Sequence, residues 1–261
     1  MNRKLTKLGV PLIISILMLL TYLTLFLGDK KIHSLTDEDG IFETLGALFF
    51  VMTSIFFGLT ILYNYRRKKT LKLMLRQNIF YILLGFVFFI GCMEEISWGQ
   101  RILNLETPDN LAEYNVQNEI NIHNLKWFHG STESGESKDF WQKLINIDRL
   151  FSLFWLSFCL IIPLLAKYNS SIKNFLIKLN LPIVPIFLGS LFLGNYLVSK
   201  FIEYSVEGAG HSVTEIKETN IAFLFMCVAL FGVYKMRQSK RAEIKTESHK
   251  SAYAKEDTFS L

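Results

Sequence analysis

Two adjacent carboxylates, Glu94 and Glu95, open the string Glu94-Glu95-Ile96-Ser97-Trp98-Gly99-Gln100-Arg101, which follows directly on the apolar run Phe86-Val87-Phe88-Phe89-Ile90-Gly91. An ionisable group at the end of such a run must be paired, neutralised or set against a water-filled cavity, so each is a functional candidate on physical grounds. If one helix continues through the string, Glu94, Ser97, Trp98 and Arg101 form a stripe at i, i+3, i+4 and i+7, and Glu95 projects about 100° away from it. Glu94 or Glu95 then suits the role of general base or metal ligand. Apolar surroundings favour the protonated form of a carboxyl, which fits proton transfer near neutrality. Ser97 would assist, Arg101 would grip a phosphate or carboxylate through its two-pronged donor set, and Trp98 and Gln100 would touch the substrate. The competing reading is a structural ion pair between Glu94 and Arg101 that closes the bundle.

Three further sets carry similar chemistry. In Asn115 to Leu125, a helix would put Glu119 and His123 on one face at i, i+4, with Gln117, Asn121 and Asn124 lining an amide-rich neighbouring face. Side-chain amides offer both donor and acceptor and so suit hydroxyl-rich or headgroup-like ligands; the alternative is a polar surface helix with local capping bonds. Glu203, Glu207, His211, Glu215 and Glu218 follow the fifth apolar run, with Gly208 and Gly210 making the turn. There His211, Glu215 and Glu218 share a helix face, and Glu218 borders the next apolar run, which makes it a catalytic candidate rather than an ordinary dipole-complementing acid. Glu43 lies past Ile41 and Phe42, inside the second apolar run, and is a substrate-binding candidate; Asp37, Glu38 and Asp39 read as solvated loop acids. Imidazoles with a carboxylate make a zinc site with an open position for water. Glu95, His123 and His211 would be its ligands, although no HExxH-type signature accompanies them.

The elements that must position these residues are apolar runs long enough to cross a bilayer. The expected fold is an all-α polytopic membrane bundle of about six transmembrane helices, with spans near 8–28, 41–63, 79–101, 147–166, 181–202 and 215–236. A signal peptide is the other reading of the first run, but it lacks a small-residue cleavage site before Asp29-Lys30-Lys31. Segments 1–7, 64–78, 167–178 and 235–261 hold 19 of the 28 basic residues and 4 of the 23 acidic ones. Basic loops stay cytoplasmic, so both termini are expected inside an inner (plasma) membrane and all four candidate sets outside it. The net charge of +5 arises from these basic loops, which suits anionic headgroups and gives no reason to invoke nucleic acid. Cys92, Cys159 and Cys227 sit in apolar runs and act as small hydrophobes. The 102–146 connection is long enough to be functional. In it Thr107-Pro108-Asp109 predicts the start of a short surface helix with Thr107 as N-cap, and Gly130 to Ser137 reads as a linker. The basic tail 238–261 reads as disordered.

The string Glu94 to Arg101, followed by Glu106-Thr107-Pro108 and by Asn115 to Asn124, resembles a pattern in multi-pass bacterial membrane proteins that share an EEISWGQR-type motif. In residue types alone, the outward Glu, Ser and His residues are similar to those of ceramidase and progestin-receptor-like membrane hydrolases, in which histidines hold a membrane-embedded metal. The spacing departs from that pattern, no histidine pair stands on the last helix and a seventh span is missing, so no residue roles carry over.

These readings point first to an enzyme that hydrolyses or transfers a lipid or lipid-linked headgroup at the outer leaflet, with zinc or another divalent metal as the possible cofactor and membrane lipid as the partner. The rivals are a cation-selective transporter or channel and a partner-binding assembly or sensory subunit. Conduction needs polar positions through the bilayer, and Ser54, Thr60, Ser190 and Asn195 are few.

Overall fold

In hydrocarbon every backbone N–H and C=O must be bonded within the protein, so long apolar runs fold as helices. The computed structural model describes residues 3–37, 40–65, 71–115, 118–128 and 146–258. It is all-α, with no strand among the described residues, and six of its helices are long and apolar enough to cross a membrane. The spans are α1 (Arg3–Tyr22, tightened into a 3-10 turn over Leu23–Leu27), α3 (Ile41–Tyr65), α4 (Leu71–Glu95), α7 (Ile147–Tyr168), α9 (Ile186–Ser205) and α10 (Gly210–Thr258). Between them lie the short helices α2 (Asp29–Thr36), α5 (Gln100–Leu103), α6 (Asp109–Ala112) and α8 (Ser170–Lys178).

Helix α10 is the central post: 56% of its apolar window is buried inside the bundle, against 33% or less for the other five spans. Ala222, Leu224, Phe225 and Ala229 are fully enclosed on it. Helices α3 and α4 pack closely because Gly85 and Gly91 let Phe57 and Phe50 lie against their backbones, and the Ser54 hydroxyl crosses to donate to the Gly85 carbonyl at 2.8 Å. Phe50, Phe57, Phe88, Phe192 and Phe225 meet in the middle, with Phe88 and Phe225 centroids 4.6 Å apart and Phe192 and Phe225 4.8 Å apart. Several polar residues in the spans bond to one another, as bilayer burial favours: Tyr22 donates to Asn195, Asn195 to the Lys217 carbonyl, and Asn220 to Thr21.

Three expectations need correction. Helix α4 stops at Glu95 instead of running on to residue 101, because the chain turns left-handed just beyond it. Thr107 does not cap α6; Pro108 occupies the cap position and the Thr107 hydroxyl donates to the Asn118 carbonyl instead. The tail 238–258 continues α10 rather than being disordered, which its composition permits: the chain has no proline after Pro185 and no glycine after Gly232, and Ala, Glu, Lys and Arg are strong helix formers. The Gly130 to Ser137 linker lies outside the described residues.

Within α7, residues Leu156–Ile161 widen into a π-turn just before Pro163, whose missing N–H cannot serve a regular ladder. Helix α9 presses on this bulge through Gly189, where an added Cβ would collide with the Cys159 carbonyl oxygen. Gly189→Ala should therefore destabilise the bundle by about 1–3 kcal/mol, while Gly194→Ala, with open space around it, should be silent. Paired thermal melts of the detergent-purified variants check this; equal melting temperatures would show that the π-turn contact is not a packing constraint.

Candidate functional site at the acidic end of the bundle

Directly after Glu95 the chain passes Ile96 and takes three consecutive left-handed residues, Ser97 (φ 45°), Trp98 (φ 55°) and Gly99 (φ 76°). Only glycine adopts this backbone freely; the other two cost roughly 1–2 kcal/mol each and must be held by their surroundings. The Trp98 indole N–H donates to Glu94 Oε1 at 2.6 Å, and the buried Ser97 hydroxyl donates to Glu119 Oε2 at 2.6 Å. Gln100 is fixed at both ends of its amide: Nε2 donates to the Thr107 hydroxyl and Oε1 accepts from the Ile120 N–H, each at 2.7 Å.

Beyond α6, the described residues of Asn115 to Leu125 are not helical, contrary to the sequence expectation. It folds back on itself, with a bridge between Asn115 and Leu125 and Asn118 in the left-handed region. Glu119 and His123 therefore face different partners instead of sharing a helix face. Asn121 donates to Glu119 Oε2 at 2.6 Å and approaches the Ser97 oxygen at 3.2 Å, and Asn115 donates to the Asn121 backbone and side-chain oxygens at 3.0 Å. Asn115, Glu119, Asn121 and Asn124 are all buried. Asn121 and Asn124, expected to bind substrate, are thus part of the interior of the loop. Gln117 lies outside the described residues, as does the side chain of Arg101.

Glu94 is the junction of this loop with the bundle. Besides the indole, it accepts the backbone N–H groups of Ile122 at 2.6 Å and His123 at 2.9 Å on Oε2, with His123 Nδ1 at 3.4 Å from the same oxygen. These contacts occupy Glu94 and leave it 12% exposed, whereas His123 is 36% exposed. Asn146 closes the far side of the loop: it caps α7 by accepting from the Arg149 N–H and donates to the Phe128 carbonyl at 2.8 Å.

The second part of the site comes from the spans. Glu95 feels the charges of Glu218, Glu215 and Glu43, and its Oε2 lies 3.8 Å from where a Cβ on Gly46 would be. Glu215 in turn feels Glu218, Glu43, Lys217 and Asp148, while Glu218 feels Lys217, Asp148 and His123. Carboxylates from α3, α4, α7 and α10 thus converge, together with the Lys217 ammonium 3.2 Å from Glu218 Oε1 and the His123 ring from the loop. Glu218 keeps 41% of its side-chain surface open, so it is within reach of a ligand.

Phenylalanines lie seven residues, two helical turns, from three of these acids: Phe50 from Glu43, Phe88 from Glu95 and Phe225 from Glu218. Two turns span about 10 Å, so the acids stand on the aromatic cluster at the centre of the bundle. Of the residues expected from sequence, Glu43, Glu95, His123 and Glu218 converge, while Ser97, Trp98, Gln100, Asn121 and Asn124 build the loop. Asp148 and Lys217 also belong to the cluster; Asp148 opens the fourth apolar run as Glu218 opens the sixth, which was the available signal.

The expected metal set does not form. His211 is exposed and faces Asp37 at 3.8 Å, and no group of three His, Cys, Asp or Glu side chains able to hold a metal exists among the described residues.

Removing the Glu94 acceptor should free the loop. Hydrogen bonds to a charged acceptor are worth about 1.5–3 kcal/mol, so Glu94→Ala should speed amide exchange at Ile122 and His123 by roughly 10- to 100-fold. Exchange mass spectrometry of the two proteins checks this, and unchanged protection at these amides would show that the loop holds itself.

Comparison of the chain with protein-family models, curated proteins and solved structures finds no match, so the functional conclusion rests on the geometry of this site.

Proposed function

We propose that the chain is a membrane enzyme that acts on a lipid or lipid-linked headgroup at the extracytoplasmic face, by proton transfer between the clustered carboxylates and His123. The observation that carries this reading is the convergence of Glu43, Glu95, Asp148, Glu215 and Glu218 from four spans at one end of the bundle, with His123 brought to them by the loop. The asymmetry of basic residues between the two ends supports the extracytoplasmic side for this end and the cytoplasmic side for both termini.

Each group has a distinct part. In the tautomer that carries its proton on Nδ1, His123 donates toward Glu94 and presents Nε2 as an acceptor, so that the carboxylate holds the ring as an orienting partner holds a general base. Glu94 is accordingly a positioning residue rather than the base expected from sequence. Glu218, open and beside Lys217, is the second proton-transfer group, and Glu95 with Glu215 and Glu43 sets the field in which both act. Hydrolysis or group transfer of a headgroup needs such a pair: one group to take a proton from the attacking hydroxyl or water and one to give a proton to the leaving oxygen. A transport path is disfavoured, since it would have to pass between Phe88 and Phe225, whose rings are 4.6 Å apart at the centre of the bundle.

Near-isosteric replacements should separate chemistry from folding. Glu218→Gln and His123→Gln should each lower turnover by about 100-fold or more while the proteins elute and melt as the parent does. The readout is the lipid and lipid-linked headgroup profile of membranes from cells lacking the chain, compared with cells making the parent or either variant. Variants that restore the parent profile in full would remove this mechanism.

A further inference from the structure

The loop from Ser97 to Trp127 is two-sided: part of its polar set is buried while a row of large apolar side chains is exposed. Ser97, Asn115, Glu119 and Asn121 are buried at 1–7% exposure, while Ile102, Leu103, Leu105 and Trp127 are 50–78% exposed and Trp98 and Ile122 are 39% and 48% exposed; Asn104, Glu106, Asp109, Asn110, Glu113 and Asn118 are exposed as well. In water this distribution is unfavourable on both counts, because amides and a carboxylate give up solvent while large apolar groups face it. At a bilayer boundary it is the expected one: large apolar groups toward lipid, exposed polar groups such as Glu106 and Asp109 toward water, and tryptophans between them.

Continuity with the spans says what covers this surface. Helix α4 presents Phe86, Val87 and Phe89, 45–60% exposed, on a helix that crosses the bilayer, and Ile102 follows only seven residues after its last residue, Glu95. The left-handed turn at Ser97 to Gly99 folds the chain back at that level, and the bonds from Glu94, Ser97 and Gln100 keep the loop close to the bundle rather than free in solution.

We propose that this loop is seated in the lipid leaflet surrounding the acidic end, with Ile102, Leu103, Leu105 and Trp127 among the acyl chains and glycerol backbones. The seating is independent of whether the site is catalytic. If the proposed function holds, it adds that an amphiphilic substrate reaches Glu218 and His123 sideways from the leaflet, with its apolar part still in lipid.

Nitroxide labels on Ile102→Cys, Leu105→Cys and Glu106→Cys, in the full chain with Cys227 replaced by alanine and reconstituted in phosphatidylcholine and phosphatidylglycerol vesicles, test this. Power saturation should show collisions with oxygen several-fold more favoured, relative to a water-soluble nickel chelate, at residues 102 and 105 than at Glu106. A water-like ratio at 102 and 105 overturns the proposal, and so does protection from both relaxants, which would mean that a second copy or a partner protein covers the surface. Quenching by shallow brominated lipids of the unlabelled parent, reduced in Trp127→Phe, supplies the same answer without a label; quenching that is absent, or unchanged in Trp127→Phe, counts against the seating.

Discussion

A carboxylate left at the end of a membrane span must find donors or lose its charge, and Glu94 finds its donors in the chain that leaves the span. The Trp98 indole and the amides of Ile122 and His123 converge on it. The rest of the acidic end depends on this contact. It supports the left-handed turn, fixes where the loop returns to the bundle, and brings the His123 ring into the field of Glu218. A residue that looks like a catalytic base in sequence thus acts as the point where the bundle and its cap are joined.

The arrangement also divides the polar groups of this end into two classes. Buried amides and the Glu119 carboxylate close on one another and on Ser97, giving a loop with a hydrogen-bonded interior. The acids of the spans face like charges, with Lys217 and His123 as neighbouring cationic or protonatable groups. Groups of the first class bond to one another within the loop; those of the second stand over a floor of phenylalanines at the centre of the bundle. A one-sided reaction site fits this division better than a path through the membrane.

Much of the architecture was legible from the sequence, because bilayer thickness and the absence of water within it make length and apolarity nearly sufficient to place spans. The grouping of Glu43, Glu95 and Glu218 at one end followed from the same counting. What was not legible came from side chains overriding local propensity. Nothing in Ser97-Trp98-Gly99 except the glycine announces a left-handed turn, since the turn is held by Glu119 and Glu94, one of them 22 residues away. Likewise the asparagines of 115–124 read as a ligand-binding face, but their bonds run to each other and to the end of α4. The short α2 and α8 helices are amphipathic surface pieces whose apolar residues are too few to register as spans.

The central claim is that an open acidic site lies at the extracytoplasmic end, closed from below. Its most direct test is the side from which Glu218 can be reached. In a chain with Cys92, Cys159 and Cys227 replaced by alanine, Glu218→Cys should react with a membrane-impermeant thiol reagent in right-side-out vesicles and stay unreactive in inside-out vesicles. Reaction from the cytoplasmic side, or from both sides equally, would contradict the account, because it would mean an inverted bundle or an open route past Phe88 and Phe225.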